Sequence, residues 1–145
     1  MTGGPLRAIL TYHAVDPARS PISMEEATFR RHAAWLASGR VRVCALADLP
    51  GQPADADAVA LTFDDGFVSF AERAWPVLRD HGLSATVFVV SDHVGGTNAW
   101  GQRPAPGNPS LPLMGWETLG RLAEAGVELG AHTRSHRDLR GASPG

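Results

Sequence analysis

Short apolar runs alternate along this chain with longer segments whose apolar positions recur every three or four residues. RAILTYH, Arg7 to His13, reads as a first strand, followed by a loop holding Pro17 and Pro21. In SMEEATFRRHAAWLASG, residues 23–39, Ser23 and Glu26 have the spacing of a capping box, Phe29, Ala33 and Leu36 recur on one face, and Gly39 supplies a stop. VRVCAL, residues 41–46, reads as a second strand and PGQPADAD as a polar loop. AVALTF, Ala58 to Phe63, is nearly continuous in its apolar character, as a strand buried on both faces should be. Ser69 and Glu72 repeat the capping-box spacing ahead of a helix through Trp75 and Leu78 to Gly82, and Pro76 predicts a late start or a kink within it. ATVFVV, residues 85–90, is a fourth strand. A long Gly/Pro-rich connection over 95–115 is of the kind that is functional or mobile. WETLGRLAEAG, residues 116–126, predicts another amphipathic helix with Trp116 in the core, and VELGAH, Val127 to His132, a fifth strand.

Strand–helix alternation with β-rich runs predicts βα units around a parallel sheet or barrel. His13, the pair Asp64–Asp65 and His132 all fall at the C-terminal ends of predicted strands. In parallel α/β architectures that edge is where active sites are built.

With 145 residues, 43% hydrophobic and 19% charged, the chain is long enough for one globular domain. A formal net charge of −2, with Lys and Arg scattered, gives no argument for nucleic acid or an anionic membrane surface, and neither is expected as a partner. The single cysteine, Cys44, excludes an internal disulfide framework and reads as a buried structural thiol. The opening MTGGPLRAILTYHAV has too short an apolar run for a signal-peptide core or a membrane span, so the expected location is the cytoplasm.

LTFDDGFVSF, residues 61–70, carries the chemistry. Two adjacent carboxylates at the mouth of an apolar strand make each other harder to ionise, and a cation is the first candidate to compensate. In GAHTRSHRDL, His132 and His136 are four residues apart, which would put both on one side of a helical turn, close enough to share an ion. H-x-x-x-H alone is a weak signal, and the missing Glu separates it from the zincin motif. Joined to an Asp pair on another strand end it becomes much stronger: two neutral imidazoles and a carboxylate leave one position open for water, as in catalytic zinc sites. The same ligand set also describes the facial triad of non-haem iron oxygenases, although an adjacent Asp acting as a base on water is not needed for oxygen chemistry. A plain structural reading would make Asp64 or Asp65 a helix cap. His32 and His81 read as surface or capping groups; His93, after a strand, and Trp100, in the long loop, could line a cleft, Trp100 with a flat aromatic face.

These motifs together resemble the polysaccharide deacetylase family, the NodB-type carbohydrate esterases. The resemblance rests on Thr62-Phe63-Asp64-Asp65-Gly66 and His132-Thr133-Arg134-Ser135-His136. Tyr12-His13, Trp75-Pro76, Ala85 to Val90 and Gly126 to Gly130 extend it over nearly the whole chain. It implies a distorted seven-stranded (β/α) barrel, here one domain over residues 1–145 that stops after about five strands, its C-terminal part missing. It also implies a metal-dependent hydrolase that removes N-acetyl groups from an amino-sugar polysaccharide or glycoconjugate. By position, Asp64 is then the general base, and Asp65, His132 and His136 hold a divalent metal, zinc first, with cobalt or nickel also able to satisfy the set. His13 is a candidate general acid, since amide hydrolysis must protonate the departing amine. The family's later strands, with an arginine that orients the catalytic Asp, have no counterpart before Gly145. A rival reading is therefore an inactive relative that binds carbohydrate or a partner.

Overall fold

The computed structural model describes residues 4–100 and 106–141. The part of the Gly/Pro-rich connection at 101–105 lies outside the described residues.

Five parallel strands form the main sheet. AVALTF becomes a strand whose every residue is buried, and its register with the first strand runs from Arg7↔Ala58 to Tyr12↔Phe63. In chain order these strands are β1 (Arg7–Tyr12), β4 (Arg42–Val43), β5 (Ala58–Phe63), β6 (Thr86–Val89) and β7 (Glu128–Ala131), while β2 (Ala14–Val15) and β3 (Ser23–Met24) pair separately. β5 is central. β1 covers one of its edges along the full length; β4 at the start (Arg42↔Ala58) and β6 at the end (Thr62↔Thr86) share the other. β7 continues the sheet beyond β6. The predicted βα architecture is therefore observed, with all main-sheet strands pointing their C-terminal ends to one side.

Three helices pack on this sheet: α1 (Glu26–Leu36), α2 (Trp75–Asp80) and α3 (Trp116–Glu124). Phe29, Ala33 and Leu36 form the buried stripe of α1, as their spacing predicts. They meet an aromatic cluster in which the Tyr12 ring stacks on Phe63 at 5.2 Å and meets Phe29 edge-on at 5.4 Å, and Phe63 meets Phe70 at 4.7 Å. Such edge-to-face pairs add about 0.5–1.5 kcal/mol each beyond area burial.

Several local expectations are overturned by tertiary contacts. Ser23 does not cap α1: it lies in β3, where its hydroxyl donates to Asp16 Oδ2, and Glu25 occupies the cap position without a side-chain bond. Ser69 is not a cap either, because its Oγ accepts the Val15 N–H across the chain. The helix there begins at Val68, ahead of Pro76, and is interrupted by a π-helical turn over Phe70–Ala74 before α2 continues from Trp75; a widened turn of this kind is how a helix accommodates an irregularity next to an interior proline. The helix thus does not start late; the irregularity found ahead of Pro76 is the π-helical turn. The second predicted strand shrinks to Arg42–Val43, because Leu46–Gly51 winds into a 3₁₀ turn that buries Leu49 against Ala58 and Ala60. Cys44 is only half-buried beside that small cluster. Trp116 is not core: at the first turn of α3 it stays 65% exposed, while Leu119 and Leu122 face inward.

β1 is unusual for a strand in a parallel sheet. Ile9 is 52% exposed, and beside it a groove of about 430 Å³ runs along Leu10, Tyr12, His32, Trp35 and Leu36. Among the described residues no helix is long and apolar enough to cross a membrane.

Candidate active site

The register between β1 and β5 delivers the first two groups. Tyr12 faces Phe63, and the Asp64 N–H donates to the Tyr12 carbonyl at 2.9 Å, so His13 and Asp64 leave neighbouring strand ends side by side. His13 Nε2 lies 4.0 Å from Asp64 Oδ2. The chain then reverses through two consecutive left-handed residues, Asp65 at φ 72° and Gly66 at φ 80°. Asp tolerates that conformation better than most side chains, and glycine adopts it freely. The reversal turns the Asp65 carboxylate inward, where it is 5% exposed.

The second half arrives from β6 and β7. The His132 N–H donates to the Val89 carbonyl at 2.9 Å, continuing the ladder one residue past β7. His132 and His136 do not share a helical turn, contrary to the expectation from their spacing. They are joined by a loop in which Thr133 (φ 61°) and His136 (φ 55°) are left-handed. That loop is held from outside: the Asp92 N–H donates to the Arg134 carbonyl at 2.9 Å, and Arg134 Nε donates to both Asp92 carboxylate oxygens at 3.0 Å. This tie between the β6 end and the loop was not legible in the sequence, because the spacing of Asp92 and Arg134 carries no periodic signal.

The three groups converge. His132 Nε2 lies 3.5 Å and His136 Nε2 3.4 Å from Asp65 Oδ1, and one donor atom of each residue falls within 4.8 Å of the others. Asp65 Oδ1 is buried and has no hydrogen-bond partner among the described residues. An orphaned buried carboxylate oxygen is costly, and it faces two imidazole nitrogens that can offer lone pairs. A tetrahedral zinc with bonds of about 2.0–2.1 Å would separate its ligand atoms by about 3.3–3.4 Å, so the two measured separations fit a shared divalent cation. Burial pushes the Asp65 carboxyl above its ordinary range, against the pull of His136, His13 and His132, and Asp64 pushes in the same direction as burial. Burial also holds the His136 imidazole below its usual value, which favours the neutral form that can ligate.

Trp100 is found at this site with one face covered. Its indole stacks on the His136 ring at 4.4 Å and 18°, and His93 meets it edge-on at 4.8 Å. His32 instead meets the Tyr12 hydroxyl at 3.4 Å, and the His81 N–H closes the end of α2 on the carbonyls of Val77 and Leu78. The described parts of the long connection are folded down on the segment after Gly66: the Met114 N–H donates to Gly66 and the Val68 N–H to Pro112. Asn98, 2% exposed, clasps the loop on itself, donating to Pro109 and accepting from the Leu111 N–H.

Comparison with known proteins identifies the family. The polysaccharide deacetylase family model matches residues 51–145, the stretch holding both motifs. A Bacillus subtilis (strain 168) protein named for the polysaccharide deacetylases, YxkH, is 24% identical over 141 residues, 94% of this chain and 45% of its own length. A chitin deacetylase from Colletotrichum lindemuthianum is 33% identical over 81 residues, 56% of this chain and 27% of its own. Among solved structures, IcaB from Ammonifex degensii superposes with a TM-score of 0.74 at 25% identity, over 98% of this chain and 59% of that one. The chain thus spans less than half the length of these curated relatives. With its paired carboxylates and histidines gathered at the C-terminal edge of a parallel sheet that superposes on such proteins, the chain belongs to the polysaccharide deacetylase family.

Proposed function

We propose that this chain carries the metal-binding half of a hydrolase that removes N-acetyl groups from an amino-sugar polysaccharide or glycoconjugate. The observation that carries the reading is the buried Asp65 Oδ1, without a hydrogen-bond partner and 3.4–3.5 Å from His136 and His132. Asp65, His132 and His136 would hold a divalent cation, zinc being the first candidate and cobalt or nickel chemically acceptable. When bound, such an ion lowers the pKa of a water molecule from about 16 toward 7 and polarises a carbonyl oxygen.

The chain's own groups supply the proton transfers. Hydrolysis adds water across the amide: the water oxygen bonds the acetyl carbon, the C–N bond breaks, and acetate and the free amine leave. Asp64 is adjacent to Asp65 but outside the three-residue cluster, and it would take the proton lost by the water. His13, 4.0 Å from Asp64 Oδ2, would deliver a proton to the departing nitrogen. The family membership and the chitin deacetylase relative support the substrate class.

The test is a zinc titration of the metal-stripped chain, followed by an acetate-release assay on chitin oligosaccharides. One tight equivalent, lost in His132→Ala, with acetate released only by the loaded form, supports the reading. A folded chain that takes up no zinc overturns it. Zinc uptake without acetate release favours instead a carbohydrate-binding relative.

A further inference from the structure

We propose that Trp100 is a positioning residue, whose indole fixes the ring of His136 so that Nε2 faces Asp65; the inference rests on the metal-site reading above. Metal-binding imidazoles are normally oriented by a hydrogen bond from the ring nitrogen that does not ligate. Among the described residues His136 Nδ1 has no such partner, and His136 sits on a left-handed residue of a loop tied down elsewhere, at Arg134. What meets its ring is the indole face, nearly parallel at 18° and 4.4 Å. Stacking at this separation restricts rotation about the bond to the ring while leaving the nitrogens free.

The indole can serve as a reference because it is itself held. It packs against the small core of Ala14, Phe67 and Leu113, and Phe67 follows Gly66 directly. The loop carrying it is closed by Asn98, two residues away, through hydrogen bonds of 3.0 and 2.8 Å to Pro109 and Leu111. His93 closes on the ring at right angles. Trp100 thereby transmits the position of the segment after Asp65 to His136 in the loop that follows β7. This excludes the simpler role of a sugar platform on the face that His136 covers.

Two measurements on the 145-residue chain test this. In the metal-free protein, the indole ring current should shift the His136 ring protons upfield in the NMR spectrum, a shift retained in part by Trp100→Phe and lost in Trp100→Leu. In zinc titrations against a chromophoric chelator, Trp100→Phe should stay within about threefold of the unsubstituted chain and Trp100→Leu should bind about tenfold more weakly, the lower end of what outer contacts contribute. If Trp100→Leu does not fold, Asn98→Ala, which opens the clasp without emptying the small core, should show the same tenfold loss. Unchanged zinc affinity in a folded Trp100→Leu or Asn98→Ala chain overturns the inference and leaves the metal site standing. An unsubstituted chain that binds no zinc overturns the metal reading and the positioning role with it, whereas an absent ring-current shift sinks the stack alone.

Discussion

Asp64 and Asp65 are adjacent in the chain, yet their carboxylates turn to different partners: Asp64 Oδ2 to His13 at 4.0 Å, Asp65 Oδ1 to His132 at 3.5 Å and His136 at 3.4 Å. The φ of 72° at Asp65 makes the separation, since an extended residue there would continue the strand direction. Two like charges in one mouth are thus given two sets of partners by one backbone reversal.

Asp65→Asn should therefore separate ligation from folding. Asn accepts the left-handed conformation and the volume, but is a far poorer metal ligand than a carboxylate. The metal-free variant is expected to melt no lower than the parent at neutral pH, because a buried unpaired charge is gone, while zinc uptake disappears. Asp65→Ala should be less stable than Asp65→Asn by about 1–2 kcal/mol of backbone strain, and melt at a lower temperature. Thermal unfolding in a chelator beside a zinc titration reads both quantities; retained zinc binding in Asp65→Asn would contradict the ligand assignment.

His13→Ala should leave zinc affinity nearly unchanged, because His13 lies against Asp64 and outside the three-residue cluster. If it protonates the leaving amine, acetate release should fall by about 10²–10⁴-fold, typical for loss of a general acid. Full-rate turnover by the variant in an enzyme that releases acetate would remove His13 from the mechanism.

Zinc affinity should rise with pH through the acidic range. Burial raises the Asp65 pKa, so a proton competes with the metal to a higher pH than at an ordinary Asp; affinity is lost as pH falls through that raised value and regained above it. The lowered His136 pKa works the other way, leaving that imidazole neutral at pH values where an ordinary histidine, near about 6.5, is still charged. Titrations from about pH 4 to 8 check this. A flat profile would mean that these groups are not the ligands.

Gly130→Ala should destabilise the fold. A Cβ there would lie 2.5 Å from the Phe88 ring, its register partner across β6 and β7. Overpacking of this kind costs about 1–3 kcal/mol. Phe88→Leu in the same chain should recover part of the loss, and denaturant unfolding of the four combinations measures the coupling. Additive effects would show that the close approach is relieved elsewhere.

Much of this architecture was readable from local pattern. The nearly continuous apolar run AVALTF announced a strand buried on both faces, and Phe29, Ala33 and Leu36 announced the inner face of α1. Both signals are strong because burial is repeated at a fixed period. Cap assignments failed at Ser23 and Ser69 for the converse reason. A single hydroxyl goes to whichever backbone or carboxylate group the fold brings near, here Asp16 and the Val15 N–H. Trp116 was misplaced because the first turn of α3 lies beyond the stripe that its later leucines bury.

The sequence by itself determined which chemical groups reach the site and on which edge of the sheet, since strand ends and the two motifs are local features that the chain order fixes. Only the tertiary structure decided how they meet. Left-handed residues at Thr133 and His136 replaced the helical turn that the histidine spacing invited, and the Trp100 ring came to rest on the His136 imidazole. Those outcomes depend on contacts between segments far apart in the chain, such as Asp92 with Arg134 and Met114 with Gly66, and no periodicity encodes a contact made once.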